Sequence, residues 1–163
     1  MVFVTVGTHE QPFNRLVEYM DQWAKTHAEE VIIQTGYSTY EPKCAVWKKL
    51  FPYQEMIENV KEARIVVSHG GPSSFIMPLQ IGKIPVVVPR KKEYDEHVND
   101  HQLSFSKAVA ERQRNIIVVE NIEELGGVLE HYNEITQEMT GHIQSNNDCF
   151  CKAFEELVTQ LVK

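Results

Sequence analysis

Three short runs carry the polar side chains that could act together: Gly7-Thr8-His9, Ser68-His69-Gly70-Gly71-Pro72-Ser73-Ser74, and Arg90 to Gln102. The second has the composition of an anion site. Its glycines let a bulky phosphate approach the backbone, and the first N–H groups of a following helix have no intrahelical partner. Ser73 and Ser74 can cap that helix or donate hydroxyls to the same anion. A Gly-Gly pair after a strand is equally the mark of a tight strand–helix turn, and Pro72 suits both readings. His9 can be a general base, a hydrogen-bond donor to phosphate, or an exposed loop histidine. The third run joins base, acid, imidazole and amide groups in Arg90, Asp95, Glu96, His97, Asn99, Asp100, His101 and Gln102. Its carboxylates also suit a solvated helix start. His97 and His101 can share a helical face, but no glutamate is placed as in H-E-x-x-H, so no metal is expected.

Several chemistries drop out. There is no lysine after the glycines as in a P-loop. The first turn is not G-x-G-x-x-G, against a dinucleotide oxidoreductase. No G-x-S-x-G elbow exists, against a serine hydrolase. What remains is a site that holds a diphosphate with backbone N–H groups, neutral donors and Arg90. Such a site suits a nucleotide-sugar, whose diphosphate leaves as charge builds on it.

The elements that must position these runs alternate along the chain. Val2–Val6, Val31–Gly36 with its polar and glycine end, Ile65–Val67, Pro85–Pro89 and Ile116–Val119 read as strands covered on both faces, with a short one at Cys44–Trp47. Helices are expected with Phe13, Leu16, Val17 and Met20 on one face, over Gln54–Ala63, after the glycine pair, over Leu103–Ala110, and from Ile122 to about Tyr132. A terminal amphipathic helix is expected over about 146–163, with Phe150, Phe154, Leu157, Val158 and Leu161 as its stripe. That stripe packs on its own sheet or docks a partner. The pattern predicts a Rossmann-like, mostly parallel α/β sheet with helices on both faces, in a single domain over 1–163. Right-handed crossovers then bring the three runs, and Gln34-Thr35-Gly36, to one edge.

The totals agree. At 163 residues the chain can bury a core without staples, and a net charge of −7 argues against nucleic acid as partner. Three cysteines are too few for a disulfide framework or a zinc site. The start Met1–Val6 has no basic head or cleavage site, and no apolar run reaches membrane-spanning length, so a cytoplasmic protein is expected.

Taken together, the Val-Gly-Thr opening, Gln34-Thr35-Gly36, Ser68 to Ser74, Gly82 to Pro89 and Asn99-Asp100-His101-Gln102 resemble the C-terminal domain of glycosyltransferase family 28. This is the donor-binding half of MurG-like GT-B enzymes. The resemblance implies a UDP-sugar as donor substrate, no further cofactor, and a stand-alone catalytic subunit of a split transferase. Gly-Gly-Pro-Ser-Ser-Phe and Glu96 to Gln102 look closer to the bacterial galactosyltransferase subunits of capsule and exopolysaccharide assembly. It further implies a membrane-anchored partner subunit supplying the acceptor side, a lipid-linked saccharide acceptor, and recruitment to the inner face of the plasma membrane. Carried over by position, Ser68, His69, Gly70, Gly71, Ser73 and Ser74 would hold the diphosphate, with Gly7, Thr8 and His9 along the same cleft. The loop at Tyr53 would meet uracil, His101 and Gln102 would hydrogen-bond the hexose, Asn99 would be a further substrate-binding residue, and His9 would be the base. Met77 stands where the family often has a ribose-binding glutamate. A non-catalytic nucleotide-binding partner of a transferase is the alternative activity, and a UDP-sugar epimerase of related build would need two domains in one chain.

Overall fold

The computed structural model describes residues 1–139 and 147–161. Its centre is one six-stranded sheet in the order β3-β2-β1-β4-β5-β6, built from Val2–Thr5 (β1), Val31–Gln34 (β2), Val46–Lys48 (β3), Ile65–His69 (β4), Val86–Val88 (β5) and Ile117–Val118 (β6). Every pair is parallel. A parallel sheet needs cover on both faces, and the alternation of side chains along each strand supplies it. Val2, Val4, Val31, Ile33, Ile65, Val67, Val86 and Val88 point to one face. There they meet Phe13, Leu16, Val17, Met20 and Trp23, mostly from α1 (Asn14–Thr26), and Leu125 and Leu129 of α5 (Leu125–Glu130). Phe3, Val66 and Val87 point to the other face. That face is covered by α2 (Tyr53–Glu62), α3 (Pro72–Gln80) and α4 (His101–Gln113). Burying side chains of this size contributes about 1.5–3 kcal/mol each.

Three elements differ from the sequence reading, each for a local reason. The strand expected at Cys44–Trp47 begins at Val46, because the buried carboxylate of Asp21 takes the N–H groups of Lys43, Cys44 and Ala45. A residue whose amide is bound to a side chain cannot also enter the ladder. The helix expected to run from Ile122 to Tyr132 is divided: a 3₁₀ turn over Ile122–Glu124, then α5, then α6 (Tyr132–Gln137) after His131. The terminal helix α7 spans Asn147–Leu161, and the ends expected for it at 146 and 163 lie outside the described residues. Phe150, Phe154, Leu157, Val158 and Leu161 are all exposed, so the stripe does not pack on the sheet.

Candidate functional site

The strand order reverses direction between β1 and β4, and in open α/β sheets a crevice opens at that point, outside the carboxyl ends of the strands. A cleft of about 410 Å³ lies there. Thr5, Gly7, Thr8 and His9 come to it from the end of β1, Gln34 from β2, and His69, Ser73 and Ser74 from the turn between β4 and α3. Met56, Val60 and Met77 give it an apolar wall from α2 and α3. Of the predicted site residues, Gly7, Thr8, His9, His69, Ser73 and Ser74 therefore meet in one place.

His69 organises the turn. Its Nδ1 accepts the Gly71 N–H at 3.0 Å, which puts the hydrogen of the neutral ring on Nε2, and that hydrogen is donated to Ser74 Oγ at 2.7 Å. Burial pushes the His69 pKa down to about 4, with the positive charge of Arg90 acting in the same direction, so the ring is neutral at physiological pH. Because Ser74 Oγ accepts from the imidazole, its own hydrogen remains available to a ligand. The N–H of Ser74 bonds the Gly71 carbonyl at 3.0 Å. The Ser73 amide and the two serine hydroxyls are thus the donors this turn offers an anion, and neither serine side chain caps the helix, whose N-cap is Gly71.

The glycines have a different reason from the one expected. A Cβ on Gly7, which has φ of +74°, or on Gly71 would overlap the His69 imidazole from either side. A Cβ on Gly70 would sit 2.9 Å from both Gln102 Cβ and Ser106 Oγ on α4. The glycines make room for one buried ring and for one helix, rather than for the approach of a phosphate.

Four other predicted residues are placed away from the cleft lining. Ser68 is fully buried, and its hydroxyl donates to the His69 carbonyl at 3.2 Å. Gln102 is buried with its Oε1 accepting the Arg90 N–H at 3.3 Å. Arg90 is 0% exposed, and both its Nη groups are committed to backbone carbonyls, so it does not reach a diphosphate. Tyr53 is exposed on the first turn of α2 and borders a smaller hollow of about 140 Å³, which shares Val60 and Met77 with the cleft. Glu96, expected on a solvated helix start, is buried and paired in both its oxygens with Arg15 at 2.8–2.9 Å.

At the rim, three imidazoles stand in a row. The His9 and His97 ring centroids are 4.7 Å apart, and those of His97 and His101 are 4.6 Å apart. Burial and the neighbouring His101, His9 and Arg90 charges hold His97 below the ordinary histidine range. Asn99 orders this row: its N–H donates to His97 Nδ1, while its Oδ1 accepts the N–H of His101 at 3.2 Å and the His101 Nδ1–H at 2.5 Å. His9 Nδ1 accepts the Gln11 N–H at 3.2 Å, so its neutral ring carries hydrogen on Nε2 and acts as a donor. Among the described residues no group of three or more His, Cys, Asp or Glu side chains is arranged to hold a metal ion.

Sequence reasoning brought Gln34 to this edge but did not single out Thr5, Met56 or Val60 as cleft residues. Gln34 is the polar end of a buried apolar strand, and this was the available signal. Its Oε1 accepts the Phe51 N–H and its Nε2 donates to Thr5 Oγ1, which in turn accepts the Gly7 N–H. Nothing in the sequence links Arg15 to Glu96, 81 residues away.

The model of the glycosyltransferase family 28 C-terminal domain matches residues 1–159. Among solved structures, the glycosyltransferase SnogD from Streptomyces nogalater is similar at 12% identity and a TM-score of 0.47. That likeness covers 98% of this chain and 43% of the other, so the chain spans less than half of it. No curated protein matches the chain.

Proposed function

The chain belongs to the glycosyltransferase family 28 C-terminal domain family, and from this we propose that it is the donor-binding catalytic subunit of an inverting transferase. The donor is a UDP-hexose of galactose or N-acetylglucosamine type. The acceptor is a lipid-linked saccharide in capsule or exopolysaccharide assembly. The observation that carries the reading is the cleft itself: neutral donors on one side, an apolar wall on the other, at the point where the strand order reverses.

In this reading the nucleoside lies along Met56, Val60 and Met77, and the diphosphate lies at Ser73 and Ser74. The hexose faces Thr8, His9 and the rim with Asn99 and His101. The acceptor oxygen forms its bond to the anomeric carbon as the bond from that carbon to the diphosphate oxygen breaks. The electron pair leaves with UDP, and the acceptor's proton passes to a base. Hydroxyl and amide donors that bind the diphosphate more strongly as it gains charge lower the barrier. His9 donates through Nε2 in the conformation described. It takes up the proton as base once the Gln11 amide releases Nδ1.

A membrane-anchored partner supplies the acceptor side, and the exposed stripe of α7 suits docking to it. In the same reading that partner recruits the chain to the inner face of the plasma membrane; no described helix is long and apolar enough to cross a membrane. Calorimetry with UDP tests the donor site. Ser73→Ala/Ser74→Ala is expected to weaken UDP at least tenfold, and unchanged affinity refutes the assignment. Transfer by His9→Ala with its partner is expected to fall about 10²-fold or more; near wild-type turnover removes His9 from the role.

A further inference from the structure

The loop after β1 carries His9, and the loop after β5 carries His97 and Asn99 and leads into His101, the first residue of α4. In the sheet those two strands are not neighbours, because β4 lies between them. No ladder therefore holds one loop against the other. Between them sits Arg90, two residues past the end of β5 and fully buried. Its Nη1 donates to the Gln11 carbonyl at 2.7 Å and to the Glu96 carbonyl at 3.1 Å, and its Nη2 donates to the Val6 carbonyl at 2.9 Å. Its Cζ lies 4.9 Å from the centre of the Phe13 ring. A second bridge runs beside it. Arg15 of α1 pairs with the Glu96 carboxylate and donates to the Pro89 carbonyl at 3.1 Å, and Glu96 also accepts the Lys91 N–H at 3.0 Å.

A guanidinium is an expensive group to bury, and an apolar side chain of similar volume would ordinarily serve a core better. Burial draws the Arg90 pKa down to about 10, against the pull of Glu96, and the group stays charged at neutral pH. What an apolar residue cannot do is satisfy carbonyls from two separate loops at once. The planar fork of arginine can, because its donors diverge in fixed directions.

We infer that Arg90 is a positioning residue of the transfer site, whose guanidinium clasps the β1–α1 and β5–α4 loops by their carbonyls and thereby sets His9 against His97. The inference rests on the reading of this edge as the donor site, but its geometric half stands apart from that reading. Arg90 touches no donor itself; it decides where the imidazoles stand.

The test uses the full chain. With selectively labelled histidines, nuclear Overhauser cross-peaks between the His9 and His97 rings are expected in the wild type. In Arg90→Met the His9–His97 peaks are lost while His97–His101 peaks persist, since those two rings stand four residues apart on one connection running into α4. Arg90→Lys keeps the charge but not the fork and is expected to recover less than half of the His9–His97 intensity. With the partner subunit present, Arg90→Met is expected to lower kcat at least tenfold with KM for the UDP-sugar changed less than threefold. Persistence of the His9–His97 peaks in Arg90→Met, their absence from the wild type, or an unchanged kcat overturns the proposal. If Arg90→Met does not fold, Arg90→Lys carries the same comparison, and full intensity with full kcat there overturns it equally. Calorimetry of the wild type with UDP separates the two readings: failure to bind UDP counts against the donor site, whereas loss or survival of the ring contacts judges the clasp.

Discussion

Replacing Gly7 with alanine separates a backbone cost from a packing cost, because the fold contains its own control. Gly7 and Gly82 both have left-handed φ, at +74° and +76°. A Cβ on Gly82 meets nothing within 4 Å, whereas a Cβ on Gly7 overlaps the His69 ring. The conformational strain common to both is about 1–2 kcal/mol. At Gly7 the ring must also move, which breaks its bonds to the Gly71 amide and to Ser74 Oγ. Those are worth about 1 kcal/mol each, and forcing an extra methyl into a packed site adds about 1–3 kcal/mol. Gly7→Ala should therefore cost about 5.5 kcal/mol and lower Tm by about 16 °C in a domain of this size, against about 4 °C for Gly82→Ala. Thermal unfolding followed by circular dichroism measures both. In a His69→Ala background the cost of Gly7→Ala should shrink to that of Gly82→Ala. Equal drops for the two glycine variants in the wild-type background, or an undiminished cost without the imidazole, would refute the ring-cradle argument.

Other consequences are as direct. His69 is held neutral with a pKa near 4, below the 6.5 of an unfolded histidine, so the stability it contributes is complete above pH 6.5 and is lost as pH falls toward 4. That loss amounts to about 3 kcal/mol; unfolding by urea across this range should show a slope that His69→Gln reduces, and the His69 ring resonance should not titrate above pH 5. Asp21 is driven up by burial, but the amides of Lys43, Ala45 and Cys44 and the Tyr40 hydroxyl prevail and hold it below the ordinary aspartate value. Its stabilisation is thus present above pH 4 and fades below it, and Asp21→Asn should cost about 2–3 kcal/mol at pH 7, read as a shift in urea midpoint. Ending the chain after residue 139 removes a helix whose apolar residues are already exposed; Tm should stay within about 2 °C, while co-purification with the acceptor-side subunit proposed above should be lost.

The order of elements was legible because each strand is a run of β-branched residues closed by a polar or glycine turn, and each covering helix repeats its apolar residues every three or four positions. Phe13, Leu16, Val17 and Met20 are all buried as that spacing predicts. The convergence of His9, His69, Ser73 and Ser74 was legible from right-handed crossovers alone. What was not legible depends on side chains meeting across long stretches of chain. Arg90 looked like a ligand for phosphate because arginine beside a glycine-rich edge ordinarily is one; only the three-dimensional path of the Val6 and Gln11 carbonyls shows it to be spoken for. Glu96 lies among charged neighbours in sequence, and its burial is due to Arg15 on a distant helix. The crowding at Gly70 and Gly71 was hidden for the same reason, since at Gly71 it comes from the His69 imidazole folded back from two residues away and at Gly70 from a helix more than thirty positions on.

The carboxylate of Asp21 also bears on how such a chain can change over generations. It gathers the amides of Lys43, Cys44 and Ala45, so the path of that connection is dictated from α1 and not by the letters of the connection itself. Glu41, Lys43 and Cys44 face solvent and are free to drift. In descendants of this sequence, substitutions should accumulate there while an acidic residue is retained twenty positions upstream, a pattern of inheritance that would otherwise look like variability without cause.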